Sequence, residues 1–185
     1  SRSFAATANL AVPHRKRITY LSVIEPDDRP GVRTESGDAD YFHCTALGKA
    51  IMAWLPNGEA EKHLTCELSV RTARTITRPL DLKLNLREVR WKGFAVDREE
   101  NVEGFVCYAV PVFLKEDRPV AAISLSLPAG RLTAQLDTDI PERLKDRARR
   151  ISAVLTAAQP EELSPSDWRS YRGRAALRAR DPLDT

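Results

Sequence analysis

Along the chain, apolar positions recur with one period and then another, and each change marks an element. The first runs, 7 to 12 and 17 to 24, are β-prone and flank the basic connection "PHRKR". Two such runs around a short turn predict a hairpin. Residues 26 to 40, "PDDRPGVRTESGDAD", are rich in turn residues, and one short strand is expected near Val32. A helical period follows over 45 to 55. Thr45 suits the N-cap, Leu47, Ala50, Ile51, Trp54 and Leu55 share a face, and Pro56 stops the helix. A shorter helix is expected over 59 to 65, and a third over 79 to 92. In the third, Leu82, Leu86 and Val89 fall at i, i+4 and i+7, Leu84 is off the stripe, and Gly93 suits the position just past the end. The segments "FAVD", "FVCYAVPVF" and "PVAAISLSL" then read as strands. Pro111 lacks an N–H, so its strand needs an edge or a bulge there. An amphipathic helix from about 140 to 157 closes the pattern, with Leu144, Ala148, Ile151 and Leu155 on one side. There is no internal repeat and no βαβαβ rhythm. The expected class is α+β, one domain with a mainly antiparallel sheet.

Composition narrows this picture a little. A chain of 185 residues suits one domain with a proper core. Its cysteines, Cys44, Cys66 and Cys107, are odd in number and at no disulfide-like spacing, which points to a reducing compartment. The sequence contains no signal-peptide pattern and no apolar run of membrane-spanning length, so a cytoplasmic location without membrane contact is expected. A net charge of +3 is too small to argue for nucleic acid. The segment "WRSYRGRAALRAR", 168 to 180, carries five arginines and no acid, and follows the linker-like "PEELSPSD". It reads as a solvated tail, with an arm touching nucleic acid or a partner subunit as the alternative.

The stretch "YFHCTALGKAIMAWLP", 41 to 56, is the densest in candidate chemistry. A phosphate loop needs an earlier glycine and a hydroxyl after Gly-Lys, and here Ala50 follows Lys49. A metal site drawn from His43, Cys44, His63 and Cys66 has a plausible His-x2-Cys spacing at 63 to 66, but adjacent residues 43 and 44 strain a shared tetrahedron. His43 and Cys44 are also poorly disposed as a base and nucleophile, and Cys107, mid-strand, reads as a buried thiol. The acids of "DREENVEG", Asp97 to Gly104, are turn-like. What remains is the helix start, where the N–H groups of Ala46, Leu47 and Gly48 emerge with the positive end of the dipole. Small side chains there let a carboxylate or phosphate approach. No cofactor is called for.

Residue size suggests where a ligand would sit. Ile123, Leu125 and Leu127 point one way along their strand, and Ala122, Ser124 and Ser126 the other. On the preceding strand Phe105, Cys107 and Ala109 share a face. If the two strands pair, one sheet face carries Cys107, Ala109, Ser124 and Ser126. Serines suit a solvent-facing side, but cysteine and alanine do not. Small groups with a few fixed hydroxyls are the make-up of a small-ligand pocket.

Three motifs occur in order: "FHCTALGKAIMAWLP", "REVRWKGFAVDREENVEGFVCYAVPVF" and "PVAAISLSLPAGRL". Together they resemble the effector-binding domain of IclR-type bacterial transcriptional regulators, from about Ala8 to Leu155. The resemblance implies a GAF-like, profilin-like fold, an antiparallel sheet flanked by helices with a pocket on one face, and a ligand sensor rather than an enzyme. It places the effector contacts at the amides of Ala46 and Leu47, which would meet a carboxylate, and at Asp97, Cys107, Ser124 and Ser126. Asp97 is expected to accept from a ligand hydroxyl or to wall the pocket. The implied partners are a small organic acid and further copies of the chain, as a homodimer or homotetramer. DNA would be contacted only through a winged helix-turn-helix that this sequence lacks. The expected division is an effector-binding domain over 1–159, then a linker and Arg-rich tail over 160–185. Some positions depart from the family pattern. Leu47 is bulkier than the small residue some relatives carry, Tyr108 stands where an aliphatic residue is usual, "LKEDRP" lacks a glycine turn, and Gly31 to Asp40 matches poorly. Two other functions are open: a Cys-dependent hydrolase using Cys107 or Cys44, and a purely structural dimerisation module.

Overall fold

The computed structural model describes residues 4–26, 34–65, 68–115 and 118–158. The hairpin forms as expected from β1 (Thr7–His14) and β2 (Arg17–Ile24), which pair antiparallel with an irregularity between Leu10 and Ala11. A short β3 (Ala39–Tyr41), which the sequence pattern did not suggest, adds to β2. The strand expected near Val32 falls outside the described residues.

Helices α1 (Ala46–Met52), α2 (Asn57–Leu64) and α3 (Pro79–Lys92) follow. The expected 45 to 55 helix is therefore too long, because a turn separates Met52 from Pro56. It is not one-faced either: every residue of α1 is buried, since the sheet lies on one side and α3 on the other. α3 matches its prediction closely. It buries Leu82, Leu86 and Val89, exposes Leu84, and ends at Gly93, whose φ of 76° is the left-handed conformation glycine adopts without cost.

Strands β4 (Ala95–Arg98), β5 (Phe105–Lys115) and β6 (Arg118–Pro128) complete an antiparallel sheet in the order β3-β2-β1-β6-β5-β4. Pro111 is accommodated as its chemistry requires. β4 pairs no further than Ala109, so β5 is free on that side at 111, and the register shifts between Val112 and Phe113.

The last helix, α4 (Ala134–Ala157), starts earlier than expected. Thr133 caps it by accepting from the N–H of Leu136 at 3.2 Å, and Pro141 sits inside it. Of the four residues expected to share one side, Leu144 and Ala148 are buried with Ile140 and Pro141, but Ile151 and Leu155 are exposed, although Ser152 and Thr156 still hydrogen-bond to β5 there. α4 packs on the sheet face formed by Val106, Tyr108, Val110, Leu125 and Leu127. The unusual Tyr108 is fully buried there, and its hydroxyl donates to the Asp137 carboxylate on α4. The opposite face packs its alanines, Ala11, Ala95, Ala109 and Ala122, with α1 and α3 in a second core. The Arg-rich segment lies outside the described residues.

Candidate functional site

Two rows of opposed residues cross the middle of the sheet on the α1 side. Thr7 of β1 faces Ser126 of β6, Ser126 faces Cys107 of β5, and Cys107 faces Asp97 of β4. In the next row Asn9 faces Ser124, Ser124 faces Ala109, and Ala109 faces Ala95. Directly opposed residues in antiparallel pairs lie on the same side. One row is thus hydroxyls, a thiol and a carboxyl, and the other gives way to methyl groups beneath α1. Along β1 the polar Thr7 and Asn9 are buried while Ala8 and Leu10 are half-buried, the reverse of the usual order.

α1 begins beside these rows. Thr45 has the extended backbone of an N-cap, and its Oγ1 accepts from the Gly48 N–H at 3.0 Å while donating to the Tyr41 carbonyl at 2.6 Å. The Lys49 N–H makes the first helical bond, to the Thr45 carbonyl at 3.0 Å. That leaves the N–H groups of Ala46 and Leu47, which no turn of helix can satisfy.

The sheet rows, the start of α1 and the turn after β4 enclose a cavity. All six residues expected from the sequence line it, namely Ala46, Leu47, Asp97, Cys107, Ser124 and Ser126, together with Thr7, Asn9, Tyr20 and Asn101. The cavity volume is about 30 Å³. Asn9 donates from Nδ2 to Ser124 Oγ at 3.1 Å and to Ser126 Oγ at 3.3 Å, which fixes both hydroxyls.

Asp97 is 3 % exposed, and its Oδ1 accepts from the N–H groups of Glu100 at 2.6 Å and Asn101 at 3.3 Å. Burial, reinforced by the Glu100 charge, pushes its carboxyl up to about 7, against the opposing pull of Lys49 and the two N–H groups. Behind it lies an ion pair absent from the sequence expectations. Lys49 is 0 % exposed and donates from Nζ to Glu100 Oε1 at 2.5 Å and to the Val96 carbonyl at 2.6 Å. Burial raises Glu100 as well, and Oε2 has no partner among the described residues. The turn itself is held from α3's approach segment: Thr72 and Thr75 donate to the carbonyls of Glu99 and Glu100, each at 2.7 Å.

Sequence reasoning overlooked Asn9, Tyr20, Asn101 and Lys49. For Asn9 the usable signal was Thr-x-Asn alternating with apolar residues in a strand. For Lys49 it was a lysine inside "ALGKAIMA", set aside once the phosphate loop was rejected. The candidate metal ligands do not converge. His43 Nε2 lies 3.0 Å from the Ser69 carbonyl, His63 stacks on Phe42 with ring centroids 4.3 Å apart, and Cys66 is outside the described residues. Among the described residues no group of three His, Cys, Asp or Glu side chains is placed to hold a metal. Burial raises the thiols of Cys44 and Cys107, the opposite of what activates a nucleophile.

A six-stranded antiparallel sheet with helices on both faces and a polar cavity at a helix start is a GAF-like α+β domain. Residues 1–153 match the family model for the bacterial transcriptional regulator IclR C-terminal domain, and the chain belongs to that family. The probable transcriptional regulator SauR of Cupriavidus necator is 33% identical over 129 residues, which cover 69% of this chain and 51% of that protein. The crystal structure of Thermotoga maritima IclR is similar with a TM-score of 0.80 at 32% identity, covering 83% of this chain and 63% of that one. The PobR inducer-binding domain of Acinetobacter, solved with 3-hydroxybenzoic acid, has a TM-score of 0.71 at 19% identity, covering 82% of this chain and 94% of that one, a likeness of fold alone. The chain spans 51% and 59% of two curated relatives, SauR and the Escherichia coli regulator KdgR. Among the described residues no helix is long and apolar enough to cross a membrane.

Proposed function

We propose that residues 1–159 are the effector-sensing domain of an IclR-type transcriptional regulator, and that the cavity binds a small organic acid. The supporting observation is the cavity's lining: free helix-start amides, oriented serine hydroxyls and a buried carboxyl converge from α1, β4, β5 and β6. The ligand carboxylate meets the amides of Ala46 and Leu47, and Ser124, Ser126 and Asp97 fix the rest. PobR's complex with 3-hydroxybenzoic acid gives one organic acid held by a protein of this fold.

A ligand so placed touches α1 and the turn after β4 together. Lys49 already ties these two to each other, so they move as one unit against β1 and β6. In the whole protein that motion changes the geometry of paired DNA-binding domains, which belong to a segment outside this sequence, in a homodimer or homotetramer. Ligand shifts such an equilibrium only by its differential affinity for the two states. Residues 160–185 form a linker and basic tail.

A thermal-shift screen against aliphatic, hydroxy and aromatic carboxylic acids tests this reading, with Ser124→Leu alongside. Ligand at a hundred times its Kd stabilises by about 2.7 kcal/mol. Leucine at 124 fills the cavity, so the shift should vanish in a variant that still folds. A variant binding at native affinity would refute the assignment, and no shift with any acid would favour a purely structural module.

A further inference from the structure

We infer that Asp97 enters the ligand complex as a neutral carboxylic acid, so that the domain takes up a proton with its organic acid and offers it a donor. This rests on the effector pocket proposed above, and it reverses the acceptor role expected for Asp97.

The case begins with a count of buried charges. Asp97 and Glu100 lie on one tight turn, both under a tenth exposed, with Lys49 the single cation hydrogen-bonded within the cluster. Lys49 is committed to Glu100 Oε1 and to the Val96 carbonyl. If both acids are ionised the cluster carries a surplus negative charge, and a ligand carboxylate adds another. Charges stripped of water tolerate this poorly, and neutralisation by a proton is the usual escape.

Among the described residues, the groups facing Asp97 from the other elements offer no second cation. Tyr20 comes from β2, Cys44 precedes α1, Cys107 lies opposite on β5, and Asp40 of β3 acts on all three. Each is neutral or acidic, and Asp40, raised by its own burial, adds negative charge when ionised. Arg71 and Arg17 act on Asp40, Arg71 also on Cys44, and Arg98 pairs with Asp137 on the far face of the sheet.

Geometry also selects which oxygen carries the proton. Oδ1 receives both backbone N–H groups, while no hydrogen bond among the described residues engages Oδ2. A proton on Oδ2 therefore leaves every existing contact intact and points a donor at the ligand. A resting value near 7 puts the group in balance at neutral pH, so a ligand's negative charge is enough to tip it. The site then favours a ligand with an acceptor at that spot, a keto or carboxylate oxygen, over one offering only a donor.

The sign of the linkage follows. Affinity is level below the free-domain value, where Asp97 is already protonated, and falls by up to about tenfold per pH unit above it. Calorimetry on the full 185-residue chain in two buffers of different ionisation heat, with pyruvate, lactate and 3-hydroxybenzoate as probes, reads the proton directly. At pH 7.5 about three-quarters of a proton should be taken up per acid bound. Asp97→Asn, whose side chain cannot ionise, should take up no proton with any acid it binds. Equal heats in both buffers with binding intact would overturn the inference and leave the pocket standing. Uptake that survives in Asp97→Asn would also overturn it. Independently of any ligand, the Asp97 side-chain carbon should titrate near neutrality in the wild type. Titration below pH 5 sinks the inference outright. If none of the acids binds while that carbon titrates near 7, the failure belongs to the pocket assignment.

Discussion

Replacing Gly48 with alanine sets two opposed effects against each other. Alanine is the better helix former, and inside a helix the exchange is ordinarily stabilising by about 1 kcal/mol. Here a Cβ on Gly48 would lie 2.4 Å from both Cα and O of Phe42, and 2.7 Å from its carbonyl carbon. Comfortable contact begins about 1 Å farther out. The obstructing atoms are backbone, so no side chain can swing aside and α1 itself must move. That shift disturbs the Thr45 cap and draws Lys49 away from Glu100 and Val96. Overpacking of this kind costs about 1 to 3 kcal/mol, and with a buried ion pair disturbed the upper end is expected. In urea, with a slope of about 2 kcal/mol per molar, the midpoint should drop by roughly 1 M or more. Circular dichroism across a urea titration measures it. A midpoint equal to or above the parent's would mean that propensity wins, and that α1 does not lie against Phe42 as described.

Removing one partner of the buried pair should be worse than removing both. Lys49→Met strands Glu100 and should destabilise by about 3 to 5 kcal/mol, whereas adding Glu100→Leu should recover much of that loss in the same urea assay. The stability of the domain should also carry the signature of Asp97. Its carboxyl is raised from 3.8 to about 7, so its contribution is fully present below pH 4 and lost as pH climbs through 7. Asp97→Asn should flatten that decline, worth on the order of 4 kcal/mol across the window, in melting curves taken from pH 4 to 8. Cys44, fully buried, should resist alkylation at pH 7.5 in the native domain and react after unfolding. Its rapid native labelling, located by peptide mass, would contradict the burial that raises the thiol.

The parts of the molecule legible in its sequence are those in which one local rule decides. α3 has a three-residue stripe, a proline at its start and a glycine at its end, and all agree. The paired strands β5 and β6 alternate small and large residues cleanly enough to reveal which face leaves space. Legibility fails where distant chain decides. α1 is buried all round, so periodicity cannot mark its end, and its length follows from what packs on both sides. α4 starts before a proline that local reasoning places nearer a helix start. Asn9 matters because β1 lands beside β6, a pairing no local pattern encodes. Lys49 was hidden for a similar reason, since its partner Glu100 lies on a turn that looked merely polar.

The pairing of β1 with β6 has a kinetic consequence. Asn9 and Ser124 are separated by 115 positions, and they sit side by side at the centre of the sheet. Each hairpin, β1 with β2 and β5 with β6, can zip locally, but the seam between them closes only after the intervening chain has been looped back. Closing long loops is entropically slow, so this domain should fold over milliseconds to seconds, with the central seam forming late. The cavity straddles that seam. A half-folded chain, whichever hairpin it has made, has nowhere to put a ligand.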